Sequence, residues 1–415
     1  MHSSLKDIYQ EIYHMDLKIT FRKKPYQWHT FRHALIGSVV YFFKIFKDFF
    51  LFGREMATNP DDLKAKIWLI IGTKNNLDTL SFLHENLENS IYIATNKKVQ
   101  ELAHCSRLNF HPAAFHWFKG FYLLFSLWPV FGKALLLRFD IFMKGIGLYE
   151  TGKVILRRYQ PQAIIFTNDH SPQERALLWA AKKLNIPNVY IQHASITADF
   201  PPLRYNLSLL EGMDSLEKYK ACGPVEGKVA LVGMPKFDPY FLYKNTRKDI
   251  QHIGLCTNIW DDENRIEHLL IQLHNHYPDI KLTFRPHPGE VRSFHLPEGV
   301  FSSDSKKENI FDFLVKQDLV IAGDTSLHLE AALLNINSLY YPLNDFVSDV
   351  YGYVQKGLVE KIDNLESLTD WIMEKRNNRP DVPPQVKYYN ALVGTSEEGN
   401  SQALVLLHIR ELLTE

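Results

Sequence analysis

Cysteine is scarce: the chain has three in 415 residues, Cys105, Cys222 and Cys256, with no Cys-x-x-Cys pair. So dispersed and odd a set excludes a disulfide framework and a cysteine-ligated zinc site, and fits a reducing cytoplasm. Long apolar runs are missing as well. The longest, Ala34–Phe43 and Gly120–Gly132, fall short of the roughly 20 residues that span a bilayer, and Pro129 interrupts the second. The first residues, with Asp7, Glu11 and Asp16, form no apolar signal core. Net charge is also absent, 47 Lys+Arg balancing 47 Asp+Glu, which argues against a nucleic-acid binder with its usual basic excess. No G-x-x-x-x-G-K-[ST], G-x-G-x-x-G after a strand, H-E-x-x-H or G-x-S-x-G occurs, so ATPase, dinucleotide, zinc-protease and serine-hydrolase readings lose support. Asp261-Asp262-Glu263 resembles a metal site, but three acids opening a helix are explained by the helix dipole, and no metal or other cofactor is expected.

What is present is a two-domain α/β pattern. A hydrophobic share of 46% with 23% charged residues is ordinary for a folded protein, and the length suggests two domains. The zero net charge hides a segregation. Residues 17–54 hold eight Lys/Arg against one acid, a local charge of +7 balanced by −7 elsewhere. That segment and residues 110–143 carry 11 aromatics each, 22 of the protein's 54. Basic residues interleaved with aromatic rings suit an anionic membrane surface, and equally suit core helices whose lysine stems reach water.

From residue 67 onward, short apolar runs alternate with helical patterns. IWLIIG (67–72), SIYIA (90–94), AIIFT (163–167) and NVYIQ (188–192) read as buried strands. Between the last two lies a helix with Ser171 as N-cap, Pro172 in its first position, Glu174 completing a capping box and Pro187 closing the connection. This βαβ unit implies a parallel sheet. A second series runs through HIGLCT (252–257), a helix over 261–277, KLTFR (281–285), a helix over 308–316, DLVIA (318–322), a helix over 327–335 and SLYY (338–341). The proline-bearing, charged segment 232–249 reads as a hinge. The expected fold is GT-B-like, two doubly wound Rossmann-like domains facing a cleft. Residues 1–235 would form the acceptor domain and 236–395 the nucleotide-donor domain, with 396–415 a C-terminal helix returning to the first.

Ligands of such sheets bind beyond the carboxyl ends of the strands, which selects the residues just after each run. Arg285-Pro286-His287-Pro288 presents an arginine and a histidine between rigid prolines, suited to a phosphate. Gly323-Asp324-Thr325-Ser326 leads into a helix start that favours an anion, and Glu330 lies one turn on, placed to accept from ribose hydroxyls. In the first domain, Gln192-His193 and Asn168-Asp169-His170 follow strands. There His193 or Asp169 could take a proton from an acceptor hydroxyl.

The ordered set IPNVYIQHAS, VGMPKFD, FRPHPGE and DLVIAGDTSLHLEAAL resembles the GT-B transferases of bacterial surface polysaccharides, over residues 160–345. That group includes capsule-type sialic-acid and Kdo transferases and the CDP-glycerol glycerophosphotransferases of teichoic-acid synthesis. The resemblance implies that His193 faces the cleft, although Ala194 stands where the group has glycine. It also implies that Gly233, Pro235 and Asp238 lie near the domain junction, and that Arg285 and His287 contact the donor's phosphate. Asp324-Thr325-Ser326 followed by Glu330 looks more like the CMP-sugar pattern than the glycerophosphotransferase one. The implied activity is inverting, metal-independent transfer of a sugar from a nucleotide-activated, CMP-linked donor to a glycan or lipid-linked glycan acceptor at the inner face of the cell membrane. CDP-glycerol or ribitol phosphotransfer, a UDP-sugar donor, sugar-nucleotide epimerisation and a non-catalytic assembly scaffold are the alternatives.

Overall fold

The computed structural model describes residues 5–15, 35–36, 39–40, 42–43, 46–47, 50, 56–110, 116, 119, 125–129, 139–345 and 349–414. The chain divides into two compact units. Unit 1 comprises Met1–Leu210, Leu216–Ala230 and Gln402–Glu415, and unit 2 comprises Glu211–Ser215 and Leu231–Ser401.

Unit 1 is built on a seven-stranded sheet. Its strands are β1 (Ile67–Ile71), β2 (Ser90–Ala94), β3 (Ser106–Arg107), β4 (Ala163–Phe166), β5 (Asn188–Ile191), β6 (Leu207–Leu210) and β7 (Lys228–Leu231). They lie in the order β3-β2-β1-β4-β5-β6-β7. All five residues of β1 are buried, as are all four of β4 and of β5, because helices cover both faces of a parallel sheet. The helices are α1 (Leu5–Ile12), α2 (Lys74–Asn86), α3 (Lys97–Ala103), α4 (Phe139–Tyr159), α5 (Pro172–Lys183) and α6 (Met213–Cys222). At Gly152 of α4 a Cβ would lie 3.4 Å from Ala180 Cβ of α5, so small residues set the close approach of these two helices. Glu11 of α1 accepts from Arg175 at 2.6 Å and from Arg204 at 2.7 Å, which compensates the fully buried Arg175 guanidinium. The last helix of the chain, Ser401–Thr414, belongs to this unit from Gln402, and Arg410 donates to the Asn86 carbonyl at 3.2 Å.

Unit 2 holds β8 (His252–Cys256), β9 (Lys281–Arg285), β10 (Phe301–Ser302), β11 (Leu319–Ala322), β12 (Asn337–Tyr340) and β13 (Glu360–Lys361), in the order β10-β9-β8-β11-β12-β13, every pair parallel. Its helices are α7 (Glu263–His276), α8 (Ile310–Leu314), α9 (Leu327–Leu333), α10 (Leu365–Lys375) and α11 (Val386–Tyr389). Register places Arg285, Cys256, Ala322 and Tyr340 in one row, so the segments leaving β9, β8, β11 and β12 start level with one another. In both sheets the order reverses once, between β1 and β4 and between β8 and β11. Those two reversals are where a doubly wound sheet opens a crevice.

Most strands fall where the apolar runs place them. The segment read as a hinge contains a 3-10 helix, Pro235–Tyr243. Helix α5 starts at Pro172 after the Ser171 cap, but the capping box does not form: Ser171 makes no side-chain cap bond and Glu174 is buried instead. Asn168 supplies the local bonds, its Oδ1 accepting from His170 N at 3.1 Å and Ser171 N at 2.9 Å. Among the described residues no helix is long and apolar enough to cross a membrane. Much of the basic aromatic segments, Lys23 and Lys24 included, lies outside the described residues.

The Gly-x-Pro turn at 233 requires glycine. Its φ is +72°, and a Cβ there would come within 2.7–2.9 Å of Ser401 Oγ, Asn390 Oδ1 and Leu392 Cγ. Gly233→Ala is expected to destabilise unit 2 by about 1–3 kcal/mol or more. The measurement is a shift to lower urea midpoint in tryptophan fluorescence, and an unchanged midpoint would refute the requirement.

Candidate functional site

The candidate residues gather at the carboxyl ends of the strands in each unit. In unit 1, β1 is followed by Gly72, whose N–H is accepted by Asn76 Oδ1 at 3.1 Å. A Cβ on Gly72 would lie 3.1 Å from Thr95 Oγ1 and 3.2 Å from Glu174 Oε1. Glu174 has therefore turned from the helix start toward the β1/β4 reversal. Burial first, and the neighbouring Asp169 second, hold its carboxyl well above the usual range.

Asp169 is 1% exposed, which is not the setting expected of a base that touches an acceptor. One oxygen faces His170 Nδ1 at 3.1 Å, and the other accepts from the Tyr219 hydroxyl at 2.6 Å. Tyr219 O also lies 2.9 Å from the Tyr190 hydroxyl. Tyr219 has one proton, and the shorter bond to a carboxylate takes it, so Tyr190 donates to Tyr219 and Tyr219 to Asp169. His170 keeps a third of its side chain exposed, and its ring lies 5.0 Å from that of Phe200. His193 follows β5 and is half-buried; beside it Gln192 Nε2 donates to the Ala194 carbonyl at 3.0 Å. Ala194 does not have a positive φ, so this turn needs no glycine.

In unit 2 the Arg-Pro-His-Pro turn divides its labour. Arg285 is 6% exposed, and its guanidinium donates to Ser303 Oγ at 2.5 Å and to the Glu308 carbonyl at 2.9 Å. It is thus engaged inside the unit rather than presented at the turn, and it holds the strand tip in place. His287 is exposed, and its Nδ1 accepts the Gly289 N–H at 2.9 Å. An accepting Nδ1 puts the imidazole proton on Nε2, and partial desolvation of the ring lowers its pKa, so the neutral His287 carries one N–H at Nε2. Just beyond, Glu290 forms a bidentate pair with Arg292, at 2.9 and 2.6 Å, which pulls its carboxyl down to about 2.

The loop after β11 is held from behind. His328 donates from Nε2 to the Gly323 carbonyl at 2.8 Å and accepts from Ser338 Oγ at 2.6 Å. Burial drives its pKa down to about 4, which keeps that tautomer at neutral pH. Asp324 accepts from Val350 N at 3.2 Å, and Asn258 Nδ2, from the β8 tip, donates to the Asp324 carbonyl at 3.3 Å. Thr325 Oγ1 accepts from Leu327 N at 3.3 Å, while Ser326 caps α9 by backbone alone. Glu330 pairs with Lys236. Its charge is also felt at Cys256 and Arg285, in the row across the sheet.

The structure therefore joins Asp169 to His170, and places Asp324, Thr325, Ser326 and Glu330 along one loop and helix start. It does not pair Asp169 with His193 in any direct bond. Sequence reasoning passed over Thr257 and Asn258 at the β8 tip, Lys236, Glu211 and Tyr219. Only the rule that ligands gather at the strand-order reversal would have selected Thr257, whose hydroxyl is buried without a hydrogen-bond partner. Among the described residues no group of three or more His, Cys, Asp or Glu could hold a metal ion.

The architecture recurs in solved structures. A putative UDP-N-acetylglucosamine 2-epimerase from Listeria monocytogenes matches with a TM-score of 0.54 at 14% identity, covering 84% of this chain and 96% of its own. The glycotransferase of kitacinnamycin matches at 0.52 and 12% identity, covering 84% and 99%. The fold is GT-B. The UDP-GlcNAc 2-epimerase of Methanocaldococcus jannaschii matches at 0.51 and 14% identity, over 83% of this chain and 99% of its own. No protein-family model and no curated protein sequence matches the chain.

Glu211 supplies a test of the electrostatics in this GT-B chain. Burial, with Glu330 and Asp214 adding and Lys236 opposing, pushes its carboxyl from 4.5 up to about 8. Between those values the unfolded chain is ionised and the folded one is not, so stability falls as pH rises through that window and levels above it. Glu211→Gln is expected to abolish this fall, by on the order of a few kcal/mol at pH 8. Urea midpoints at pH 5, 6.5 and 8 measure it, and parallel wild-type and variant curves would count against it.

Proposed function

We propose that the chain is an inverting, metal-independent glycosyltransferase that moves a sugar from a nucleotide-activated donor to a hydroxyl of a growing cell-surface glycan. The observation that carries the reading is the His287 turn: a neutral imidazole with its N–H at Nε2, level with the Gly323–Ser326 loop across the β8/β11 reversal. Such a row suits the leaving phosphate of a nucleotide sugar. Donors fixed in advance where negative charge grows are the largest kind of catalytic term. Unit 2 then holds the donor. His287, Thr325 and Ser326 take the phosphate, Asp324 shapes the loop, and Arg285 fixes the turn and adds positive charge. Glu330, with one oxygen on Lys236, accepts from ribose hydroxyls, the feature that favours a CMP-linked donor.

In the reaction the acceptor oxygen attacks the activated sugar carbon, the carbon–oxygen bond to phosphate breaks with its electron pair, and configuration inverts. A base in unit 1, at the tips of β4 and β5, removes the hydroxyl proton. The acceptor class is a glycan or lipid-linked glycan at the inner face of the cell membrane. Leu35, Ile36, Val39, Val40, Phe43 and Phe46 are exposed in helical conformation, which supports docking of a cytoplasmic protein on an anionic leaflet. CDP-glycerol phosphotransfer would use the same phosphate groups. Epimerisation is the second reading, favoured by the shared fold with UDP-GlcNAc 2-epimerases; it needs no acceptor.

With CMP-, UDP- and GDP-sugars offered to wild type, nucleotide release is expected to depend on a glycan acceptor and to be fastest from the CMP sugar. His287→Ala is expected to lower kcat at saturating donor by about 10²–10³-fold. CMP at 100 times its Kd should stabilise the protein by about 2.7 kcal/mol. Near-normal turnover in the variant would sink the phosphate role, and acceptor-free interconversion of a UDP-sugar would establish the epimerase instead. For the membrane arm, wild type should co-sediment with phosphatidylserine vesicles and lose most binding on Phe43→Ser/Phe46→Ser. Equal binding by both would argue that these rings serve another surface.

A further inference from the structure

The transferase reading leaves the base in unit 1 open between Asp169 and His193, and the geometry around Asp169 favours a third residue. Its carboxylate is 1% exposed and accepts one hydrogen bond on each oxygen, so burial keeps it from a substrate hydroxyl. The bond from His170 is informative. A carboxylate can only accept, so the Nδ1 facing it at 3.1 Å carries the proton, and the His170 Nε2 lone pair is left free. The loop and one side of the ring are held. Its own backbone N–H is tied to Asn168 Oδ1 at 3.1 Å, and one side packs on Phe200. Behind Asp169 the Tyr190–Tyr219 chain fixes the far oxygen.

We propose that His170 is the catalytic base of unit 1 and that Asp169 is its positioning residue. This rests on the transferase reading. His170 Nε2 takes the proton from the acceptor hydroxyl as that oxygen bonds to the activated sugar carbon. The electron pair of the breaking carbon–oxygen bond leaves with the nucleotide phosphate. The resulting imidazolium is stabilised by the Asp169 carboxylate, and its proton passes to water. The logic is that of an oriented imidazole, in which a buried carboxylate selects the tautomer and meets the positive charge when it forms.

The test uses the full-length protein and nucleotide release from CMP-, UDP- and GDP-sugars with a panel of synthetic glycoside acceptors. His170→Ala should lose about 10²–10⁴-fold in kcat/KM, keep the wild-type thermal shift with nucleotide, and recover part of its rate with added imidazole. Asp169→Asn should lower kcat with little change in donor KM. His170→Gln, which keeps a polar side chain at a partly exposed position, guards against misfolding and should be equally slow. If wild type transfers sugar and both His170 variants stay within about threefold of it, the assignment to His170 is overturned while the transferase reading stands. If wild type transfers to no acceptor yet interconverts a sugar nucleotide, the transferase reading fails and this inference fails with it.

Discussion

A parallel sheet covered on both faces leaves its strands no surface except their ends. Every residue of β1, β4, β5, β11 and β12 is buried, so none of these strands can offer a side chain to a ligand along its length. Chemistry is confined to the segments that emerge at the carboxyl edge, and the strand-order reversals mark where neighbouring segments diverge. The sites in this protein follow from that one constraint. Gly72 and the Thr167–Ser171 segment flank one reversal, and Thr257-Asn258 and Gly323–Ser326 flank the other. The level row from Arg285 to Tyr340 then decides that the β9 turn and the β11 loop begin at a common height.

The two edges solve opposite electrostatic problems. The edge of unit 1 brings acids together: Asp169 and Glu174 sit close enough that the charge of one raises the pKa of the other. The pair is tolerable because their surroundings differ. Both are buried, but Asp169 accepts from two hydrogen-bond donors, whereas one Glu174 oxygen has no hydrogen-bond partner. In unit 2 the problem is to present positive character without a stray buried charge. Arg285 and Lys236 are each matched by carboxyl or carbonyl partners, and a further N–H comes from a neutral histidine. His328 works on the same principle from behind: as a neutral ring it can donate and accept at once, which an imidazolium could not.

The strands were legible because continuous apolar runs of four or five residues bounded by polar tips have few other uses. β9, β2 and the cores of β1 and β8 begin where the pattern begins. The two-residue strands β3, β10 and β13 were not legible, since two residues carry no periodicity. The site was half legible. Position after a strand selected Asp169, His193, His287 and the 323–326 loop, but no local rule reveals which way a side chain turns. Glu174 shows why. At the third helical position after Ser171-Pro172 it satisfies the capping pattern, yet the space beside the side-chain-free Gly72 accepts its carboxyl, and Asn168 takes over at the loop. Tyr219 lies 50 residues from the aspartate it donates to, a pairing that only the folded sheet creates.

A GT-B scaffold does not by itself decide between moving a sugar to an acceptor and rearranging it in place, because both chemistries begin by holding a nucleotide sugar and weakening its bond to phosphate. In the proposed reading, the groups in unit 2 serve that shared step. What separates the outcomes is how a proton is handled beside the sugar. Transfer to a hydroxyl calls for a group that is neutral and basic near pH 7 and that becomes a cation without penalty as the new bond forms. Burial raises the pKa of the Glu174 carboxyl, and Asp169 is 1% exposed. An imidazole tethered to that carboxylate fits both demands. The acidic character of the β4 tip is therefore better understood as support for a histidine than as a reactive acid pair.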